Sequence, residues 1–281
     1  MDTGVSANPT RFPQMRHAAP LSLLIAALCL AHAGTAGAAE DDAISPDRPS
    51  VAESSQVVGK GRFQLETGIQ WDRQRDQDVH ERTLSTPTLL RIGLGERLEL
   101  RIETDGRTIV HDADPASGQH TVTAGYADTS LGVKWRLAEQ SGSRPSLGVL
   151  LHADLPSGSR ELRGRGVRPS LRLAADWELP DDYELTVMPG VGIDSDERGA
   201  RYRYGVLAVE LDKAFNDRLH GFAELAAPQI ARADRGGTQA VFDAGLTYLV
   251  NKDLQVDAAL VRGLNRRTPD LGLTVGLSLR L

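Results

Sequence analysis

From Arg62 to the C-terminus, apolar and polar residues alternate with a period of two, the mark of strands with one greasy and one wet face. Phe63, Leu65, Thr67, Ile69 and Trp71 share one face, and Arg62, Gln64, Glu66 and Gln70 share the other. Leu84, Thr86, Thr88, Leu90 and Ile92 form the next apolar face, and residues 97–103 alternate without a break. Leu131, Val133, Trp135 and Leu137 then oppose Ser130, Lys134 and Arg136, while Leu147, Val149 and Leu151 oppose His152 and Asp154. Leu171, Leu173, Ala175 and Trp177 oppose Arg172, Asp176 and Glu178, and Tyr183, Leu185, Val187, Val191 and Ile193 oppose Glu184, Thr186 and Asp194. Four weaker faces follow, led by Tyr202-Tyr204-Val206, Leu219-Ala223-Leu225, Phe242-Ala244-Leu246-Tyr248 and Leu254-Val256-Ala258-Leu260. Leu207, Val209 and Leu211 compete with the first of these. A final run places Leu271, Leu273, Val275, Leu277, Leu279 and Leu281 against Thr274, Ser278 and Arg280.

The pattern amounts to about twelve strands. No charged residue falls on these apolar faces, although charged residues make up 25% of the chain. Hydrocarbon imposes such exclusion, because an Arg or Lys facing lipid at mid-bilayer costs roughly 2–4 kcal/mol. On the polar faces Leu150, Phe222, Val241, Leu249 and Val261 are the exceptions that would point inward.

The connections separate a barrel from a sandwich. Long segments at 72–82, 105–124, 156–166 and 228–238 alternate with short ones at 93–96, 180–182, 213–218 and 251–253. Tight periplasmic turns facing longer outer loops are the asymmetry of bacterial barrels, whereas Greek-key connections do not alternate in this way. The expected fold is therefore an all-β, transmembrane, antiparallel up-and-down β-barrel. In that orientation Phe63, Trp135, Trp177, Tyr183 and Tyr248 fall at the periplasmic rim, and Trp71, Tyr202 and Tyr204 at the outer rim, as aromatic girdles require.

The first forty residues differ. Arg11, Arg16 and His17 precede an apolar run from Leu21 to Ala31 and a small-residue stretch from Gly34 to Ala39, the order of a secretory signal peptide. Leu28 before Cys29 does not fit a lipoprotein site, so the single cysteine is expected to leave with the signal. The predicted organisation is a signal peptide at 1–39, a periplasmic or lumenal segment at 40–61, and a barrel at 62–281. The net charge of −6 argues against nucleic acid, and no apolar run reaches the length of a membrane helix.

Asp47-Arg48-Pro49, Glu53-Ser54 and the run Gly61-Arg62-Phe63-Gln64-Leu65-Glu66-Thr67-Gly68 resemble the opening of a bacterial outer-membrane family, the putative MetA-pathway of phenol degradation proteins. Leu90 to Leu94, Glu96 to Arg101, Asp128 to Lys134 and Pro269 to Gly272 fall in the same order, so the resemblance spans essentially the whole mature chain. It implies a transporter-like barrel and, by association with aromatic degradation, uptake of hydrophobic compounds. The chain departs from such barrels in ending Leu279-Arg280-Leu281, where an aromatic usually marks the end for the assembly machinery.

Candidate chemistry lies inside the cylinder. Glu66, Arg101, Glu103, Lys134, Arg136, Arg172, Asp176 and Glu184 are the charged residues expected to line a wet lumen, where rings of mixed charge set selectivity. Such residues also pair across strands in any polar interior. Asp47, Arg48 and Pro49 are expected either to fold into the lumen or brace its mouth, or to belong to an ordinary flexible terminus. His111, Asp112, Asp114 and His120 share a loop stretch but lack distinctive ligand spacing, so neither metal nor cofactor is expected. No Gly-x-Ser-x-Gly elbow accompanies His152 or His220, so an enzyme is not expected. The expected function is passive uptake of small, aromatic or hydrophobic solutes across the outer membrane. Its expected partners are the lipid bilayer, those solutes and, during biogenesis, the barrel assembly machinery. Two alternatives are a non-conducting structural or adhesive barrel with partner-binding loops, and a lipid-modifying enzyme.

Overall fold

The computed structural model describes residues 43–75, 80–196 and 198–281. The predicted signal peptide, with Cys29, lies outside them. Fifteen strand segments follow in order: β1 (Phe63–Arg75), β2 (His80–Ser85), β3 (Thr88–Gly93), β4 (Leu98–Thr104), β5 (Arg107–Ala113), β6 (His120–Tyr126), β7 (Thr129–Ala138) and β8 (Ser146–Leu155). Then come β9 (Arg168–Leu179), β10 (Tyr183–Ser195), β11 (Arg201–Ala214), β12 (Leu219–Ile230), β13 (Gln239–Asn251), β14 (Leu254–Gly263) and β15 (Leu271–Arg280). Three pairs of segments are halves of single strands, broken at Thr86-Pro87, Asp105-Gly106 and Ala127-Asp128, which leaves twelve strands. All pair antiparallel with their neighbours, and β15 closes on β1 from Gln64↔Arg280 to Arg73↔Leu271. The expected twelve-stranded barrel is borne out.

Burial is inverted relative to a water-soluble protein. The largest fully buried side chains include Arg91, Arg101, Lys134, Gln64, Glu66, Glu99 and Glu224. Ile69, Leu131, Leu151, Val191, Leu225 and Val275 stand exposed on the outside. Water would penalise that arrangement at roughly 25 cal/mol per Å² of apolar surface, whereas hydrocarbon does not. Leu150, Phe222 and Val241 are buried within, as their parity implied.

One end carries the turns 94–97, 139–145, 180–182, 215–218 and 252–253 together with the start of β1 and the end of β15; we call it the turn end. The other, the loop end, carries the longer connections. Two expected loops are shorter than the sequence suggested. Strand pairing continues through 107–113 and 120–126, and through 72–75 and 80–85, because Thr, Val, Ile and His keep the ladder going beyond each break. Pro87 removes a ladder donor, and Gly106, at φ 63°, adopts a left-handed conformation, so the wall bends there.

A second correction concerns β11. Tyr202, Tyr204 and Val206 do not face outward; Leu207, Val209 and Leu211 do. Three aliphatics on one parity outweigh two tyrosines on the other, and the tyrosines have uses inside. The Tyr202 hydroxyl donates to Gln229 Oε1 at 3.1 Å, and the Tyr204 ring lies over Gly192, where a Cβ would meet it at 2.3 Å. The predicted aromatic girdle therefore lacks these two residues at the loop end, while Phe63, Trp135, Tyr183 and Tyr248 remain exposed at the turn end.

Candidate functional site

Residues 43–60 thread into the lumen. They enter and leave by the turn end: Ile44 N–H donates to Lys252 O in the 252–253 turn, and Gly61 N–H to Gly93 O at the end of β3. Between these points Asp47 sits on the axis of a charge cluster. Its carboxylate accepts from Arg101 Nη1 and Lys134 Nζ, each at 2.7 Å, and lies 3.3 Å from Arg91 Nη1. Glu99 completes the cluster, accepting from Arg91 Nε at 2.9 Å and Arg101 Nη1 at 2.8 Å. Burial by itself would raise the Asp47 carboxyl, but Arg91, Lys134 and Arg101 hold it well below the usual carboxylate range.

The flanking residues are pinned by the same wall. The backbone N–H groups of Asp47 and Arg48 donate to Glu66 Oε2 at 3.0 and 3.1 Å. Arg48 reaches Asp257 at 3.2 Å and Thr274 Oγ1 at 2.9 Å. Its guanidinium passes over Gly68 and Gly276, cross-strand partners whose Cβ atoms would lie 2.5 and 2.4 Å from Nη2. A Cβ at either position would have to displace that guanidinium. Glu53 bridges Arg101 at 2.7 Å and Arg172 at 2.6 Å, Ser55 N–H donates to Asp176 at 2.7 Å, and Val58 N–H to Glu99 at 2.9 Å. On the far side Val51 and Ala52 donate their N–H groups to Glu224 at 2.8 and 2.6 Å and rest on Met188, Val206, Ala208, Ala226 and Val241. The segment is a plug.

Six of the eight predicted lumenal charges touch this plug: Glu66, Arg101, Lys134, Arg136, Arg172 and Asp176. Arg136 reaches Gln56 Oε1 at 3.3 Å. Glu103 stands elsewhere, 3.5 Å from His152 Nδ1, and Glu184 lines a smaller cavity beside Glu210, Asp212 and His220. Sequence reasoning missed Arg91 and Glu99 as site residues. Both lie on unbroken alternating runs opposite apolar neighbours, so the signal was available. It also missed the acceptors Glu224 and Asp257, which sit on weakly patterned strands.

Above the plug, toward the loop end, a cavity of about 500 Å³ is lined by Glu103, Asp105, Ser130, His152, Arg168 and Arg172 among others. Among the described residues, Ser130 Oγ, His152 Nε2, Arg168 Nη1 and Arg172 Nε have no hydrogen-bond partner. Ala127, Asp128, Leu162 and Gly164 also border the cavity, and they mark a seam in the wall. β7 pairs with β8 only as far as Thr129↔Leu155, and beyond it β6 ends the sheet order. Bonds from the following loop close the gap: Ser159 accepts Tyr126 N–H on its Oγ at 2.8 Å, Ser159 N–H donates to Tyr126 O at 2.8 Å, and Asp128 accepts from Gly158 and Gly164 at 2.8 Å.

The sequence profile of the putative MetA-pathway of phenol degradation family matches residues 46–281, from the plug to the last residue. The chain belongs to that family. Among solved structures it is similar to the COG4313 outer membrane channel from Pseudomonas putida F1, with a TM-score of 0.61 at 14% identity, covering 85% of this chain and 100% of that one. It is also similar to the translocator domain of the autotransporter NalP from Neisseria meningitidis, with a TM-score of 0.53 at 12% identity, covering 79% and 90%. At such identities the shared property is the barrel. No curated protein matches the chain by sequence.

Proposed function

We propose that this chain is an outer-membrane channel through which small aromatic or hydrophobic solutes diffuse passively, with residues 43–60 closing its periplasmic, turn end. The observation that carries the reading is the cavity of about 500 Å³ between the plug and the loop end. It opens beside the seam, borders polar atoms without partners, and has the size of a small-ligand site. The seam offers an apolar solute a side entry, because a few isolated bonds stand there in place of a strand ladder. The apolar lumen patch of Met188, Val206, Ala208, Ala226 and Val241 lies against the plug tip and suits an apolar passenger once the tip moves. The signal-peptide order at 1–39 supports export, and assembly machinery would insert the barrel.

Uptake into liposomes tests the reading. Refolded protein should admit a small aromatic solute faster than a neutral sugar of similar mass. Equal exclusion of both by correctly folded protein would favour a second reading, a non-conducting structural barrel, which the plug's buried ion pairs also fit.

A further inference from the structure

Outside the lumen, the loop-end rim carries a charge pattern that solute passage does not use. Strand register sets Trp71, Leu84, Ile109 and Ala124 side by side in one outward row. One step nearer the loop end, the next outward row is Arg73, Arg82, His111 and Val122. Their outward sense follows from Leu273, exposed beside Trp71, and from the exposed Leu84 and Val122. Asp72, Glu81 and Asp112 occupy the alternate positions and so face the other way.

Arg73 and Arg82 stand directly opposite each other across the ladder, where like charges repel. Among the described residues no carboxylate pairs with either guanidinium, and the buried Nε of Arg73 has no hydrogen-bond partner. Asp270, close by, accepts the backbone N–H of Arg75 at 2.8 Å. Arg107 lies opposite Tyr126 on the other side of the Ile109–Ala124 row, and its guanidinium is turned over that ring at 5.6 Å. A self-repelling pair with no counter-ion among the described residues is stabilised where its surroundings supply the anion. Just beyond the apolar band, those surroundings are lipid headgroups.

We propose that Arg73, Arg82 and His111 bind the phosphate of a phosphorylated lipid in the outer leaflet, with its acyl chains laid along Trp71, Leu84 and Ile109. Two guanidinium forks match phosphate oxygens in geometry and charge, and the imidazole adds a donor. The apolar row beneath continues the surface that the bilayer already covers. The inference rests on the barrel fold and not on solute passage.

Native mass spectrometry of the detergent-solubilised barrel, mixed with bisphosphorylated lipid A or its dephosphorylated counterpart, tests it. The parent chain should retain the phosphorylated lipid preferentially. Arg73→Ala/Arg82→Ala should weaken that retention about tenfold or more, while Arg144→Ala, on a turn at the opposite end, should leave it unchanged. Equal retention by the parent and the double variant, or equal retention of both lipids by the parent, overturns the site. Should the double variant not assemble, Arg82→Ala carries the same comparison, since Arg82 is exposed on the rim. Solute uptake should be the same in parent and variants. A parent that admits no solute would count against the channel reading and leave this test intact.

Discussion

The two sides of the lumen hold the same plug by different physics. On the β1–β3–β4–β7 side, Glu66, Arg91, Glu99, Arg101 and Lys134 surround Asp47 with both signs of charge, and its charged partners are all matched. On the β10–β13 side the plug tip meets aliphatic side chains, and Glu224 accepts two backbone N–H groups without a basic residue between them. The first wall dictates one register, because a displaced Asp47 would strand three cations in a dry interior. The second wall reads only shape and backbone and would tolerate sliding. A plug clamped on one side and lubricated on the other can tilt toward the clamp without losing it.

Breaking the clamp should have the largest effect. Asp47→Ala leaves Arg91, Arg101 and Lys134 facing one another, a loss on the order of 3–5 kcal/mol in plug seating. Single-channel recordings should then show higher and noisier conductance than the parent. Filling the glycine gap comes next. Gly276→Val drives a side chain into the space Arg48 occupies, and overpacking of this kind costs about 1–3 kcal/mol. Cleavage after Glu53 by a glutamate-specific protease should rise in refolded protein, with barrel heat-modifiability unchanged. On the lubricated side, Glu224→Gln keeps one acceptor for two donors and should cost about 1 kcal/mol, visible as a smaller conductance change than Asp47→Ala. If Glu224→Gln proved the more disruptive, the two walls would have been ranked the wrong way round.

A pH titration sharpens the same contrast. Asp47 is depressed in the seated state, so its contribution is complete above the usual carboxylate range and is lost only as pH falls through its low folded value. The parent conductance should therefore hold steady from neutrality down to about pH 5. A rise within that window would come from groups other than Asp47.

Strand alternation made the barrel legible because each residue's parity decides between hydrocarbon and water, and a wrong choice is expensive at nearly every position. Parity failed at Tyr202 and Tyr204, which are amphipathic enough to stand on either side, so the aliphatics of β11 decided. Loop lengths were overestimated where His, Asp and Thr continue a ladder that hydrophobicity no longer marks, as in β5 and β6. Within the site, Glu66, Arg101 and Lys134 were readable as inward charges, but their common partner was not. Asp47 lies 54 residues from Arg101 and 87 from Lys134, and only the closed cylinder brings such separations together. The seam was invisible for a related reason: it depends on where β8 stops pairing, a feature set by the loop that follows.

The most direct test fixes the plug in place. Ser55 Oγ on the plug and Ser146 Oγ on β8 are 3.1 Å apart, so Ser55→Cys/Ser146→Cys can close a disulfide with the plug seated. Uptake of a small aromatic solute into liposomes should fall when this pair is oxidised and recover on reduction. Identical uptake in the two states would contradict a plug that must move for solute to pass.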